Sequence, residues 1–170
     1  MNKLTTRHKA IAIATLILTP ALLISPRFVV PVVHRHGFLL FDRQETGCLP
    51  WEWYWGSFKV GTVHRGDIVT FRNEQASLFP RGALITKIVA GMPGDSVVID
   101  QGVVRINGQV LGTLLRGAQH FRKPINSWDT RYTIPPGQYY LFGSEFRSYD
   151  SRYWGPIRYD QIYTKDQLLY

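Results

Sequence analysis

The chain has 170 residues, 45% of them apolar and 19% charged, which excludes a disordered chain and one buried mostly in lipid. Twenty Lys and Arg against twelve Asp and Glu leave a net charge of +8, a balance that favours acidic partners such as phospholipid head groups, nucleic acid or acidic protein. The one cysteine, Cys48, excludes a disulfide scaffold and a Cys-rich zinc site within one chain, and ten prolines with fifteen glycines argue against a long-helix bundle.

Residues 10–25 (AIAIATLILTPALLIS) carry no charge, follow Lys3, Arg7 and Lys9, and precede the first acidic residue, Asp42. A helix of that length rises about 24 Å, short of the roughly 30 Å hydrocarbon core of a bilayer. Residues 28–33 (FVVPVV) extend it past Pro26 and Arg27, and Lys9 and Arg27 can snorkel to the two interfaces. This predicts a cytoplasmic basic tail over 1–9, a membrane anchor over 10–33, and a domain over 37–170 on the far side, because basic flanks stay in the cytoplasm. A cleaved secretory signal shares this grammar, but no small-x-small site follows Ser25, so an uncleaved anchor is the expectation.

The body reads as strands. Residues 66–71, 83–90, 95–100, 103–106 and 138–142 are β-branched, apolar or aromatic runs bounded by Gly, Pro, Asn and Asp. Asn107-Gly108 between two such runs predicts a hairpin, because a type I′ turn needs positive φ at both central residues. Residues 116–131 are basic with scattered aromatics and no clear period, which suggests an insertion loop. The fold class expected is mostly β: an antiparallel sheet or partly open barrel with one N-terminal transmembrane helix.

Three separated islands carry chemistry. The first is Thr46-Gly47-Cys48-Leu49-Pro50 with Trp51, Trp53, Tyr54, Trp55 and Phe58 behind it; the second is Lys87-Ile88-Val89-Ala90 followed by Gly91-Met92-Pro93-Gly94-Asp95; the third spans 143–155 with Ser148, Asp150, Ser151, Arg152 and Tyr153. Taken singly each has a plain structural reading. A lone Cys is usually a small buried hydrophobe, a Lys in an apolar strand can snorkel, the Gly-x-Pro-Gly-Asp run is a tight turn, and Asp150 with Arg152 makes an ion pair.

Taken together and in order, the islands resemble the bacterial signal peptidase I (S26) family, in particular its TraF-type conjugative transfer branch. The resemblance rests on Lys87 four residues before the Gly91–Asp95 turn, on the Ser148-to-Gly155 box, and on Thr46, Pro50 and Tyr54 around the nucleophile position. Cys48 stands there in place of the family's Ser, and Glu52 in place of a Gly. The resemblance implies a membrane-anchored peptidase of the bacterial inner membrane, its catalytic domain periplasmic, acting on exported precursor proteins. It implies Cys48 as nucleophile and Lys87 as base, Thr46 and the Cys48 N–H as oxyanion donors, and Ser148, Asp150 and Arg152 as supports. Ser148 would hydrogen-bond the Lys87 amine, and Asp150 would help orient it.

The chemistry agrees with that scheme. A lysine amine is protonated at neutral pH and serves as a base only where burial favours its neutral form; Lys87 lies in an apolar run of the right character. A thiol is a better nucleophile than a hydroxyl at neutral pH, and a nearby lysine either accepts its proton or, as an ammonium, stabilises the thiolate. The intermediate would be a thioester, which amines attack readily relative to water, so a conjugative pilin is the expected substrate and its cyclisation an extension of that reading. Trp51, Trp53 and Trp55 suggest a surface resting at the membrane interface, with ordinary β packing as the alternative. Membrane lipid is an expected partner and nucleic acid is not. No cofactor or metal is expected, since His34, His36, His64 and His120 have no ligand spacing. The competing reading is a catalytically silent, membrane-anchored β-domain within a conjugation or secretion apparatus.

Overall fold

Alternation of apolar and polar residues, punctuated by glycine turns, is what folds this chain into short antiparallel strands. In a computed structural model, the structure describes residues 35–41, 48–145 and 147–169. The predicted tail and anchor (1–33) and Thr46 lie outside the described residues. No helix among the described residues is long and apolar enough to cross a membrane.

In chain order the strands are β1 (Gly37–Phe41), β2 (Trp53–Ser57), β3 (Ile68–Arg72), β4 (Leu84–Gly91), β5 (Ser96–Asp100), β6 (Val103–Ile106), β7 (Gln109–Thr113), β8 (Thr130–Thr133), β9 (Gln138–Phe142), β10 (Ile157–Arg158) and β11 (Ile162–Leu168). Two short helices, α1 (Leu115–Phe121) and α2 (Ser151–Trp154), complete the described elements with three-residue to four-residue 3-10 turns. One sheet has seven strands in the order β1-β2-β11-β3-β4-β9-β10, the other four in the order β7-β6-β5-β8. Pairing is antiparallel throughout, and neither sheet closes on itself, so the partly open barrel considered from sequence is realised as two open sheets.

The Asn107-Gly108 hairpin forms as expected, with φ of 51° and 81°. The predicted insertion at 116–131 is ordered in part: α1 occupies its start, the turn Ile125–Trp128 follows, and β8 joins the small sheet. Gly117 is why α1 fits, since a Cβ there would stand 2.0 Å from the Tyr153 ring.

Two cores lie along β9. Tyr140 packs with Val97, Val104 and Ile134, while the next residue, Leu141, packs with Val69, Phe71 and Val89. Successive side chains of a strand point to opposite faces, so one strand ties the two clusters together. Each fully buried aliphatic or aromatic side chain of this kind contributes about 1.5–3 kcal/mol. A third cluster joins Leu49, Tyr54 and Ile68, and it anchors the segment just after Cys48.

Candidate active site

Lys87 sits in the middle of β4, opposite Val69 of β3. Strand alternation puts it on the same face as Ile85 and Val89, both core residues. Its side chain is fully buried, and Nζ has no hydrogen-bond partner among the described residues. The snorkelling alternative therefore fails: the amine ends inside the protein, not in solvent. A buried polar group left without a hydrogen-bond partner costs stability, and groups kept at such a cost cluster at functional sites.

Cys48 is half-buried and lies at the edge of the core cluster that holds its neighbour Leu49. Its carbonyl accepts a hydrogen bond from the Glu145 N–H at 3.2 Å, which ties the first island to the third. Gly143 makes that approach possible: a Cβ there would stand 2.6 Å from the Cys48 carbonyl oxygen and 2.1 Å from Ser148 Oγ. Cys48 borders two concavities. The smaller, about 170 Å³, is shared with Lys87, Thr70, Thr86 and Leu40. The larger, about 680 Å³, is shared with Ser148, Phe121, Tyr149 and Tyr153 under α1. Residues 39 positions apart in sequence thus open onto one cavity.

The third island folds as a buried ion pair that caps a helix. Asp150 precedes α2 and accepts from the Arg152 N–H at 3.2 Å. Its two oxygens take Arg152 Nε at 2.7 Å and Nη2 at 2.8 Å, and Oδ2 also accepts from the Gly143 N–H at 2.9 Å. Arg152 further donates to the Ser148 carbonyl at 3.2 Å. Burial works against the guanidinium charge, but the hydrogen bonds and charge of Asp150 outweigh it and raise the Arg152 pKa. Two details of the implied arrangement differ from the structure. Asp150 is engaged by Arg152 and Gly143 and not by the Lys87 amine, because a bidentate guanidinium saturates the carboxylate. Among the described residues Ser148 Oγ is buried without a hydrogen-bond partner, as is Lys87 Nζ, so the bond implied between them is not made.

The turn after β4 is built by its own residues. Asp95 accepts from the Met92 N–H at 2.6 Å, from Asn107 Nδ2 at 2.6 Å and from Arg65 Nη2 at 2.5 Å. Burial alone would raise its pKa, but these bonds lower it below the usual carboxylate value. Gly94 has φ +90°, and Gly91 lies against Ile134 and Tyr140, which leave no room for a Cβ. The motif's glycines and aspartate are therefore structural: they end the lysine strand and start the small sheet.

The aromatic cluster near Cys48 divides. Tyr54 is fully buried in the third core cluster, and Phe58 stacks on Phe38 and meets Tyr163 edge to face. Trp51 and Trp53 are exposed and Trp55 is half-buried, with Phe41 packed on Trp53 and Leu39 exposed beside them.

One group of buried polar residues was not legible from the motifs. Asp166 of β11 is buried and accepts from Thr70 Oγ1 and Thr164 Oγ1, each at 2.6 Å; Thr70 Oγ1 lies 2.7 Å from Thr86 Oγ1. The signal in the sequence is the alternation Ile162, Thr164, Asp166, which reads as the inward face of a strand only once β11 is placed between β2 and β3.

The family model described as Signal peptidase, peptidase S26 matches residues 6–170. Signal peptidase I V of Bacillus subtilis is 30% identical over 116 residues, covering 62% of this chain and 66% of the relative. A probable signal peptidase I-2 of Synechocystis sp. is 32% identical over 109 residues, 62% of this chain and 47% of the relative. The matched part thus spans about half to two thirds of the length of these relatives. A crystal structure of a signal peptidase I from Enterococcus faecalis aligns with 62% of this chain and 97% of its own, at 24% identity and a TM-score of 0.39.

Proposed function

The chain belongs to the signal peptidase S26 family, and on that premise we propose that it is a membrane-anchored endopeptidase that cleaves exported precursors with a Cys48–Lys87 pair. The observation that carries this reading is that Lys87, its amine buried and without a partner among the described residues, lines the cavity that Cys48 also borders. Nζ has no hydrogen-bond partner among the described residues, and catalytic hydrogen bonds are often open in the free enzyme and tighten in the substrate complex.

In the proposed reaction the Cys48 sulfur attacks the scissile carbonyl and Lys87 takes the thiol proton. The oxyanion accepts from the Cys48 N–H and the Thr46 hydroxyl. The C–N bond then breaks, the leaving amine takes the proton from Lys87, and a thioester to Cys48 remains. Water attacking that thioester yields a free carboxyl end and restores the thiol; an amine attacking it yields a new amide. Ser148, Asp150 and Arg152 brace the pair, with Ser148 Oγ available for the lysine amine and the ion pair holding the Ser148 carbonyl.

The TraF-type branch, a conjugative pilin substrate, the anchor over 10–33 and a periplasmic domain are parts of the same proposal. So is a membrane-facing surface at Trp51, Trp53 and Trp55, supported by two exposed tryptophans next to exposed Leu39 and Phe41.

Precursor processing in cells tests the reading. Cys48→Ala and Lys87→Ala are each expected to abolish it, while Cys48→Ser retains part of it. Processing that survives both alanine changes would leave a silent β-domain as the answer. Mass spectrometry of the mature substrate decides the fate of the thioester: a product one water heavier than the cyclic form is linear and ends the cyclisation idea.

A further inference from the structure

Asp166 is a carboxyl group with no cation paired to it among the described residues. Its neighbours are the hydroxyls of Thr164 and Thr70 and the bare backbone of Gly56, where a Cβ would stand 2.9 Å from Asp166 Oδ1 and 3.2 Å from Leu40. On its own strand the adjacent Lys165 points to the other face and pairs with Asp67 at 2.7 Å. β2 and β3 place Gly56 and Ile68 opposite it, neither ionisable, and β4 adds Thr86 through Thr70. Burial with no opposing charge pushes its pKa up to about 6.

The hydroxyls run from this carboxyl to the cavity that Cys48 and Lys87 border. Thr70 is fully buried, Thr86 is half-exposed, and both line that cavity. Each hydroxyl has one proton to donate, so the direction of the chain is set at its buried end. With Asp166 ionised, Thr70 must donate to it, Thr86 donates to Thr70, and the Thr86 oxygen presents lone pairs to the cavity. With Asp166 protonated on Oδ2, the carboxyl donates to Thr70, Thr70 donates to Thr86, and the Thr86 proton turns outward, while Thr164 still donates to Oδ1.

We propose that Asp166 is a positioning residue which, through Thr70, sets whether Thr86 offers the substrate a hydrogen-bond acceptor or a donor beside the nucleophile. The ionised form is the working one: Thr86 then accepts from a backbone N–H of the bound peptide. The inference deepens the peptidase reading and rests on it for its link to catalysis.

Two measurements on the full chain in detergent micelles separate the two ideas. The first needs no catalysis. In threonine-methyl-labelled protein carrying Cys48→Ala, the Thr86 methyl resonance is expected to titrate with a midpoint near pH 6, and Asp166→Asn is expected to remove that titration. A Thr86 resonance that stays flat in the first protein, or titrates unchanged with Asp166→Asn, overturns the proposal. The second follows cleavage of an internally quenched peptide carrying an Ala-x-Ala cleavage sequence. Through pH 6, kcat/KM is expected to rise about three- to tenfold, the worth of one hydrogen bond, and mainly through KM. Thr86→Ser keeps the rise; Thr86→Val and Asp166→Asn remove it. A rise that survives Thr86→Val overturns the proposal even if the resonance titrates. Cleavage that persists with Cys48→Ala refutes Cys48 as the nucleophile instead, and the resonance titration still judges the network.

Discussion

Lys87 and Gly143 illustrate the residue scale, where a single side chain trades stability against chemistry. The Lys87 amine is buried with no partner, so the fold carries a desolvation cost that an apolar side chain of similar length would not. Lys87→Met is therefore expected to abolish processing while stabilising the domain by about 1–4 kcal/mol, read as a higher Tm in thermal unfolding. A lower Tm would mean that the amine has a structural role. Gly143→Ala acts in the opposite direction. The added methyl collides with Ser148 Oγ and the Cys48 carbonyl, so the first and third islands must separate. Overpacking of this sort costs about 1–3 kcal/mol, and processing is expected to fall further than the loss of folded protein explains.

Two local elements hold the site's parts in register. The turn at 91–95 joins the lysine strand β4 to β5 through three bonds to the Asp95 carboxylate. Asp95→Ala leaves the Met92 N–H and Asn107 without that acceptor and is expected to cost about 1–3 kcal/mol in denaturant unfolding. The Asp95 pKa is lowered in the folded state, so its contribution is present above the unfolded value of 3.8 and lost as pH falls through the folded value. The alanine variant should accordingly lose part of the acid sensitivity below pH 4. At α2, Arg152→Met strands the Asp150 carboxylate in a fully buried place and is expected to cost about 3–5 kcal/mol. Adding Asp150→Asn to it should recover part of that loss, since the neutral amide no longer needs a counter-ion.

Over the whole molecule, carboxylates of opposite tendency shape stability against pH. Asp67, despite burial that opposes it, is held low by Lys165 and the His64 N–H, and Asp95 is also low; both stabilise above pH 3.8 and cease to on acidification. Asp166 is raised to about 6, so from about pH 4 to 6 the unfolded chain releases its proton first and the folded state loses on the order of 3 kcal/mol. These three groups predict a stability maximum near pH 4, with a loss on acidification below it and a second loss from about pH 4 to 6. Tm measured against pH checks this, and Asp166→Asn is expected to flatten the alkaline side alone. A wild-type Tm that climbs steadily from pH 4 to 7 would contradict the assigned environment of Asp166.

The sequence by itself determined the strands that carry strong alternation, the Asn107-Gly108 hairpin, and the order of the three islands, because those signals are local: turn glycines, β-branched runs and motif spacing. It left β1, β2, β8, β10 and β11 unread, since Trp53 to Ser57 looks like an aromatic patch, Thr130 to Thr133 falls at the end of a basic stretch without clear period, and Ile162 to Leu168 is a mixed polar run until neighbours are known. Only the tertiary structure decided that β11 lies between β2 and β3, which turns Thr164 and Asp166 inward against Gly56. It likewise decided that Lys87 points into the protein and opens onto the cavity beside Cys48, and that Asp150 belongs to Arg152. The physical reason is that a residue's period along a strand says which face it shares with its neighbours, but not which face the rest of the chain will cover. Burial, and with it the cost of a charge and the direction of a hydrogen bond, is settled by contacts between segments far apart in the chain.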